Sequence, residues 1–170
     1  GTELYNVFAQ ARRRGRIEYP RIHIIDNADP RLLKKYLEQS GLEAKTTDIY
    51  ISSKSGDTIE TLVNAYFFIN WMGETLKPAE LWKHIIITTH DVEKGQVYNF
   101  FKDKSAKIWY IPTRTNDVGG RFSVLSPSGL ISAAYAGINI RNLLEGAKAI
   151  QPGLESDDYR VNPAFKLAIL

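Results

Sequence analysis

The stretch Asp48-Ile49-Tyr50-Ile51-Ser52, followed by Ser53-Lys54-Ser55-Gly56-Asp57-Thr58 and then Ile59-Glu60-Thr61-Leu62-Val63, decides the fold. A short apolar run meets a hydroxyl-rich turn with one glycine, and a helical pattern begins directly after it. The spacing predicts a strand over Asp48–Ser52 and a helix over about Thr58–Trp71. In that helix Ile59, Leu62, Val63, Tyr66 and Phe67 follow the i, i+3, i+4, i+7, i+8 pattern expected of a core-facing stripe. Gly73 is the expected stop.

The same alternation extends to both sides. Further strands are expected at Ile22–Asp26, His84–Thr89 and Lys107–Ile111, each short and apolar on both faces, as buried parallel strands are. Helices are expected at Pro30–Gln39 and Gly95–Phe101. Strands alternating with helices predict an α/β fold, a doubly wound, mainly parallel sheet flanked by helices. Pro112–Pro127, rich in Thr, Asn, Gly and Ser, reads as a long loop of the kind that carries function. Helices at Leu130–Ala136, Ile140–Ile150 and Pro163–Leu170 follow it.

Composition narrows the function classes. A chain of 170 residues fits one domain. It has no cysteine, which excludes disulfides, thiolate nucleophiles and cysteine-ligated metal sites. No metal-ligand cluster is visible, and no apolar run reaches the ~20 residues that span a bilayer. The net charge of +3 is too small to indicate nucleic-acid binding. The densest basic run, Arg12, Arg13, Arg14 and Arg16, reads as a solvated helix end; an acidic or nucleic-acid partner would reveal itself by steep salt dependence. No signal peptide is visible at Gly1-Thr2-Glu3-Leu4. The only methionine is Met72, and the chain finishes in an apolar stretch. Truncation at both ends is therefore expected.

Two stretches carry chemistry. The turn Ser53–Thr58 lies at the carboxyl end of a strand and opens a helix, where ligands of open α/β sheets bind and where unpaired amides suit an anion. Ser53, Ser55 and Thr58 offer hydroxyls, and Gly56 lets the backbone close on a ligand. The other reading is plain capping by Asp57 or Thr58, with Glu60 completing a capping box from Asp57. Both readings stand on residue types alone. In the second stretch, Asn116-Asp117-Val118-Gly119-Gly120-Arg121-Phe122-Ser123, paired glycines precede an arginine. Its permanent charge suits a substrate oxygen on which negative charge develops. A salt bridge to Asp117 or Asp103 is the competing reading.

Taken together, these stretches resemble the glucose-6-phosphate isomerase (phosphoglucose isomerase) family. Asn116 to Gly129 looks like that family's Gly-Gly-Arg signature, and Ser53-Lys54-Ser55 through Thr58-Ile59-Glu60-Thr61 looks like its phosphate loop. The resemblance covers nearly the whole chain, residues 1–170 reading as a single sugar isomerase (SIS) domain. It implies phosphate contacts from Ser53, Ser55 and Thr58, with Lys54 contributing through its backbone. It further implies that Arg121 stabilises an enediol-like intermediate and that Gly120 shapes the same site; Glu60 matches a position at that site. The substrates implied are glucose 6-phosphate and fructose 6-phosphate. The enzyme implied is a cytoplasmic homodimer with neither cofactor nor metal, and with no nucleic-acid or membrane partner.

Asp57 stands where the family often has threonine, and Ser128 replaces a small apolar residue. The family's Gly-Gly-Ser segment, base glutamate, ring-opening histidine and C-terminal lysine have no match in this chain. His23 and His84 read as strand residues with packing roles, and His90 as a loop residue. The isolated chain is therefore expected to be inactive. The alternative is a non-catalytic sugar-phosphate sensor that keeps the cradle without the chemistry.

Overall fold

The computed structural model describes residues 20–89, 95–104, 107–108 and 119–169. Arg12, Arg13, Arg14, Arg16, His90, Asp117 and most of Lys107–Ile111 lie outside them. Contacts divide the chain into two compact units, His23–Ser128 and the flanking stretches Gly1–Ile22 with Gly129–Leu170.

In the first unit, helix α1 (Pro30–Ser40) begins at Asp29, whose carboxylate accepts the Arg31 N–H at 2.9 Å. Strand β1 (Ile49–Ser52) leads to helix α2 (Ile59–Gly73), the short helix α3 (Pro78–Leu81) and strand β2 (Ile85–Thr88). Helix α4 (Gln96–Phe101) and strand β3 (Lys107–Ile108) follow. The sheet is parallel, in the order β1-β2-β3. Ile49 lies opposite Ile85, Tyr50 opposite Ile86 and Ser52 opposite Thr88; Ile86 lies opposite Lys107. This is the α/β class the alternation predicts, with helices packed against a parallel sheet.

Register explains the core. With a side-chain period of two, Ile49, Ile51, Ile85 and Ile87 share one face. Ala65, Ile69 and Met72 of α2 and Val97 and Phe101 of α4 close over that face. Burying each large apolar side chain stabilises by roughly 1.5–3 kcal/mol. Tyr50 and Ile86, on the other face, are half-buried rather than sealed.

The expected stripe on α2 is right only in part: Leu62 packs against the core and Phe67 is half-buried. Ile59, Val63 and Tyr66 are 69%, 41% and 44% exposed, and the buried stripe is Ala65, Phe68, Ile69 and Met72. Both sets follow i, i+3, i+4 spacing. The helix is apolar on most of its circumference, so period alone does not choose the inward face, and contact with the sheet does. Ile22–Asp26 is also corrected: it is described but belongs to no strand. An apolar run becomes a strand only when a neighbour accepts its ladder. Of the loop expected over Pro112–Pro127, residues 112–118 lie outside the described residues; Gly120–Leu125 is a 3₁₀ helix, and helix α5 begins at Pro127.

Helix α5 (Pro127–Tyr135), which from Gly129 on belongs to the second unit, ends at Gly137, which has φ 74°. There the Ile138 N–H donates to Ala133 and the Gly137 N–H to Ala134, the paired bonds of a Schellman stop. Helix α6 (Ile140–Ala149) is capped by Asn139, which accepts the Asn142 N–H at 3.1 Å. Helices α7 (Gln151–Leu154) and α8 (Pro163–Ile169) complete it. Ala133 and Ala136 pack with Ile22, Ile138, Ile140 and Leu143.

Candidate functional site

The turn Ser53–Thr58 leaves β1 at its carboxyl end. The Ser53 N–H donates to the Thr88 carbonyl at 3.1 Å, so the turn starts as an extension of the sheet ladder. Ser53 is buried at 6% exposure. Its hydroxyl donates to the Thr58 hydroxyl at 3.2 Å and accepts the Gly56 N–H at 3.1 Å. The Ser55 hydroxyl accepts the Asp57 N–H at 3.2 Å. Ser53, Ser55 and Thr58 are thus gathered on one turn, with Lys54, Ser55, Thr58 and Glu60 exposed.

Gly56 has φ 73°, a left-handed backbone that costs an L side chain roughly 1–2 kcal/mol. A Cβ there would lie 3.2 Å from both the Gly95 Cα and the Thr89 Oγ1. The turn is therefore pressed backbone to backbone against the entry of α4. The Thr89 hydroxyl donates to the Lys54 carbonyl at 3.4 Å, and the Val97 N–H to the Gly56 carbonyl at 3.0 Å.

The capping reading is overturned. Thr58 occupies the cap position of α2 but makes no side-chain cap bond. Asp57 does not cap its own helix; its Oδ1 accepts the Gln96 N–H of α4 at 2.9 Å. Nor does Glu60 complete a capping box, because the Asp57 N–H is taken by Ser55. Among the described residues no side chain caps the first-turn amides of α2, and such amides with the helix dipole suit an anion.

Arg121 is exposed on the Gly120–Leu125 turn, directly after Gly120. No ion pair joins it to Asp103 among the described residues. Nor does any described hydrogen bond or ion pair join it to the Ser53–Thr58 turn. Sequence reading missed Tyr50, whose hydroxyl donates to the Ser128 carbonyl at 3.0 Å and so receives the Thr88 hydroxyl at 2.7 Å. Burial holds this phenol above its ordinary pKa. A tyrosine in an otherwise aliphatic strand was the available signal, since a buried phenol needs a partner. His84 pairs with Asp48 at 2.9 Å and His23 contacts the Tyr36 hydroxyl, each away from the turn in sequence. Among the described residues no cluster of His, Asp and Glu is arranged to hold a metal ion.

Comparison with known proteins adds kinship. The family model described as "Phosphoglucose isomerase" matches residues 1–169. The probable glucose-6-phosphate isomerase of Methanococcus maripaludis is 34% identical over 155 residues, 91% of this chain and 33% of the relative. The glucose-6-phosphate isomerase of Carboxydothermus hydrogenoformans is 36% identical over 163 residues, 94% of this chain and 32% of the relative. The chain thus spans about a third of the length of these curated relatives. The crystal structure of a hypothetical protein from Thermus thermophilus matches at a TM-score of 0.75 and 32% identity, over 88% of this chain and 34% of that one.

Proposed function

This chain belongs to the phosphoglucose isomerase family, and from that premise we propose that it is the sugar-phosphate-binding part of a longer aldose–ketose isomerase. That enzyme interconverts glucose 6-phosphate and fructose 6-phosphate, works as a homodimer in the cytoplasm, and serves glycolysis and gluconeogenesis. Residues 1–170 are a portion of its sugar isomerase domain. One observation carries the reading: at the carboxyl ends of two parallel strands, a hydroxyl-rich turn that exposes Ser55 and Thr58 enters α2 with no described side chain on the first amides.

Ser53, Ser55 and Thr58 take the phosphate through their hydroxyls, and Lys54 through its backbone. Glu60 lies at the edge of the same site. Arg121, shaped by Gly120, faces the sugar and offsets the negative charge that develops when a proton moves between C1 and C2. That proton transfer needs a base, which another part of the enzyme supplies.

The test is calorimetric titration of the chain with fructose 6-phosphate, run beside a coupled isomerase assay. Binding without turnover is the expected result. Absence of binding would remove the phosphate role of the turn, and turnover would place a base within these residues. A longer open reading frame that encodes no isomerase would favour a sugar-phosphate sensor instead.

A further inference from the structure

The geometry points to Asp57 as a positioning residue of the phosphate turn, acting by capping α4 instead of α2; the role rests on the reading of that turn as a phosphate site. A carboxylate one residue before the cap position of α2 has two options. Folded onto its own helix, it would occupy the amides a phosphate needs and set a like charge beside the dianion. In the structure its Oδ1 instead accepts the Gln96 N–H at 2.9 Å. The cap position of α4 is Gly95, which has no side chain to make that bond itself.

A second bond runs in parallel. The Val97 N–H donates to the Gly56 carbonyl at 3.0 Å, so two successive amides of α4 hold two successive residues of the turn. Close approach of Gly56 to Gly95 and Thr89 leaves no room for the turn to shift toward α4. The turn is clamped on that side while the α2 amides stay uncapped. Asp57 thus sets the turn's shape and keeps its own charge off the anion's amides.

Three variants of the 170-residue chain test this, with amide exchange at Gln96 and Val97 and titration by fructose 6-phosphate as readouts. Asp57→Ala should speed both exchanges and weaken binding about fivefold to tenfold, the usual cost of a lost cap. Asp57→Asn keeps an Oδ1 acceptor and should hold both readouts within about twofold of wild type. Gln96→Pro removes the donor at a first helical position that tolerates proline, after a Gly95 already at φ −67° and ψ 148°. It should weaken binding as Asp57→Ala does and add nothing to that variant. A merely structural bond would lower the melting temperature without this rescue by asparagine or this non-additivity. Unchanged binding in Asp57→Ala, or equal loss in Asp57→Asn, would overturn the positioning role alone. No binding by wild type with Gln96 still protected would overturn the phosphate reading, and the positioning role with it.

Discussion

The Tyr50 hydroxyl donates to the Ser128 carbonyl at 3.0 Å while receiving the Thr88 hydroxyl at 2.7 Å, so one phenol ties β1 and β2 to Ser128 within the same unit. Tyr50→Phe keeps the ring and removes both bonds, taking from Thr88 and Ser128 the half-buried hydroxyl they share. The expected loss is about 1–3 kcal/mol of unfolding free energy. Urea denaturation with an unchanged slope and a lower midpoint would show it. An unchanged midpoint would mean that water replaces the phenol at no cost.

The same phenol gives an alkaline dependence of known sign. Burial raises the folded-state pKa above the ordinary value of about 10. The folded chain therefore keeps a proton that the unfolded chain has released. The contribution of Tyr50 is intact below about pH 10 and is lost as pH rises from there through the folded-state value. Stability curves for wild type and Tyr50→Phe should converge on the alkaline side. Parallel curves would contradict the burial.

Gly56→Ala combines a left-handed backbone with a Cβ 3.2 Å from the Gly95 backbone. The expected destabilisation is about 1–3 kcal/mol, with faster exchange of the Val97 amide. Thermal melts and exchange rates check it. Wild-type values for both would mean that the turn relaxes without strain.

Ser55→Ala combined with Thr58→Ala should weaken fructose 6-phosphate binding by about two to four orders of magnitude, because each of the two lost hydrogen bonds to a charged group contributes roughly 1.5–3 kcal/mol. Both side chains are exposed, but Thr58 accepts the Ser53 hydroxyl and Ser55 the Asp57 N–H, so a thermal melt of the variant separates lost folding from lost binding. Equal affinity in the calorimeter would remove the turn from the site.

Arg121→Ala should leave the melting temperature within about a degree of wild type, since exposed substitutions rarely move stability by more than about 0.5 kcal/mol. In the longer isomerase proposed above it should lower kcat more than it raises KM. A rise in KM alone would give Arg121 a binding role instead.

The local parts of this structure were legible in the sequence. The ends of α1, α2, α4 and α6 fall within two residues of expectation, because proline, caps and apolar period are local signals. The glycine of the Ser53–Thr58 turn was legible as well, and it has the positive φ a tight turn requires. The partners were not legible. Ile22–Asp26 has the composition of a strand without a strand beside it among the described residues, and α2 carried two stripes of equal periodicity. Asp57 read as a cap for α2 because sequence shows the neighbouring helix start but not the one folded against it. Tyr50 looked like one more apolar strand position, and nothing in its vicinity announced Ser128.

Asp57 and Gln96 are 39 positions apart, yet a bond between them shapes the turn. Order of assembly follows from that separation. Distant contacts carry a loop-closure cost that must be met before they stabilise anything. The turn therefore matures only after β2 has paired with β1 and the chain has come back to begin α4. A peptide of residues 48–73 would hold every hydroxyl of the cradle and still lack the amides that give the cradle its form.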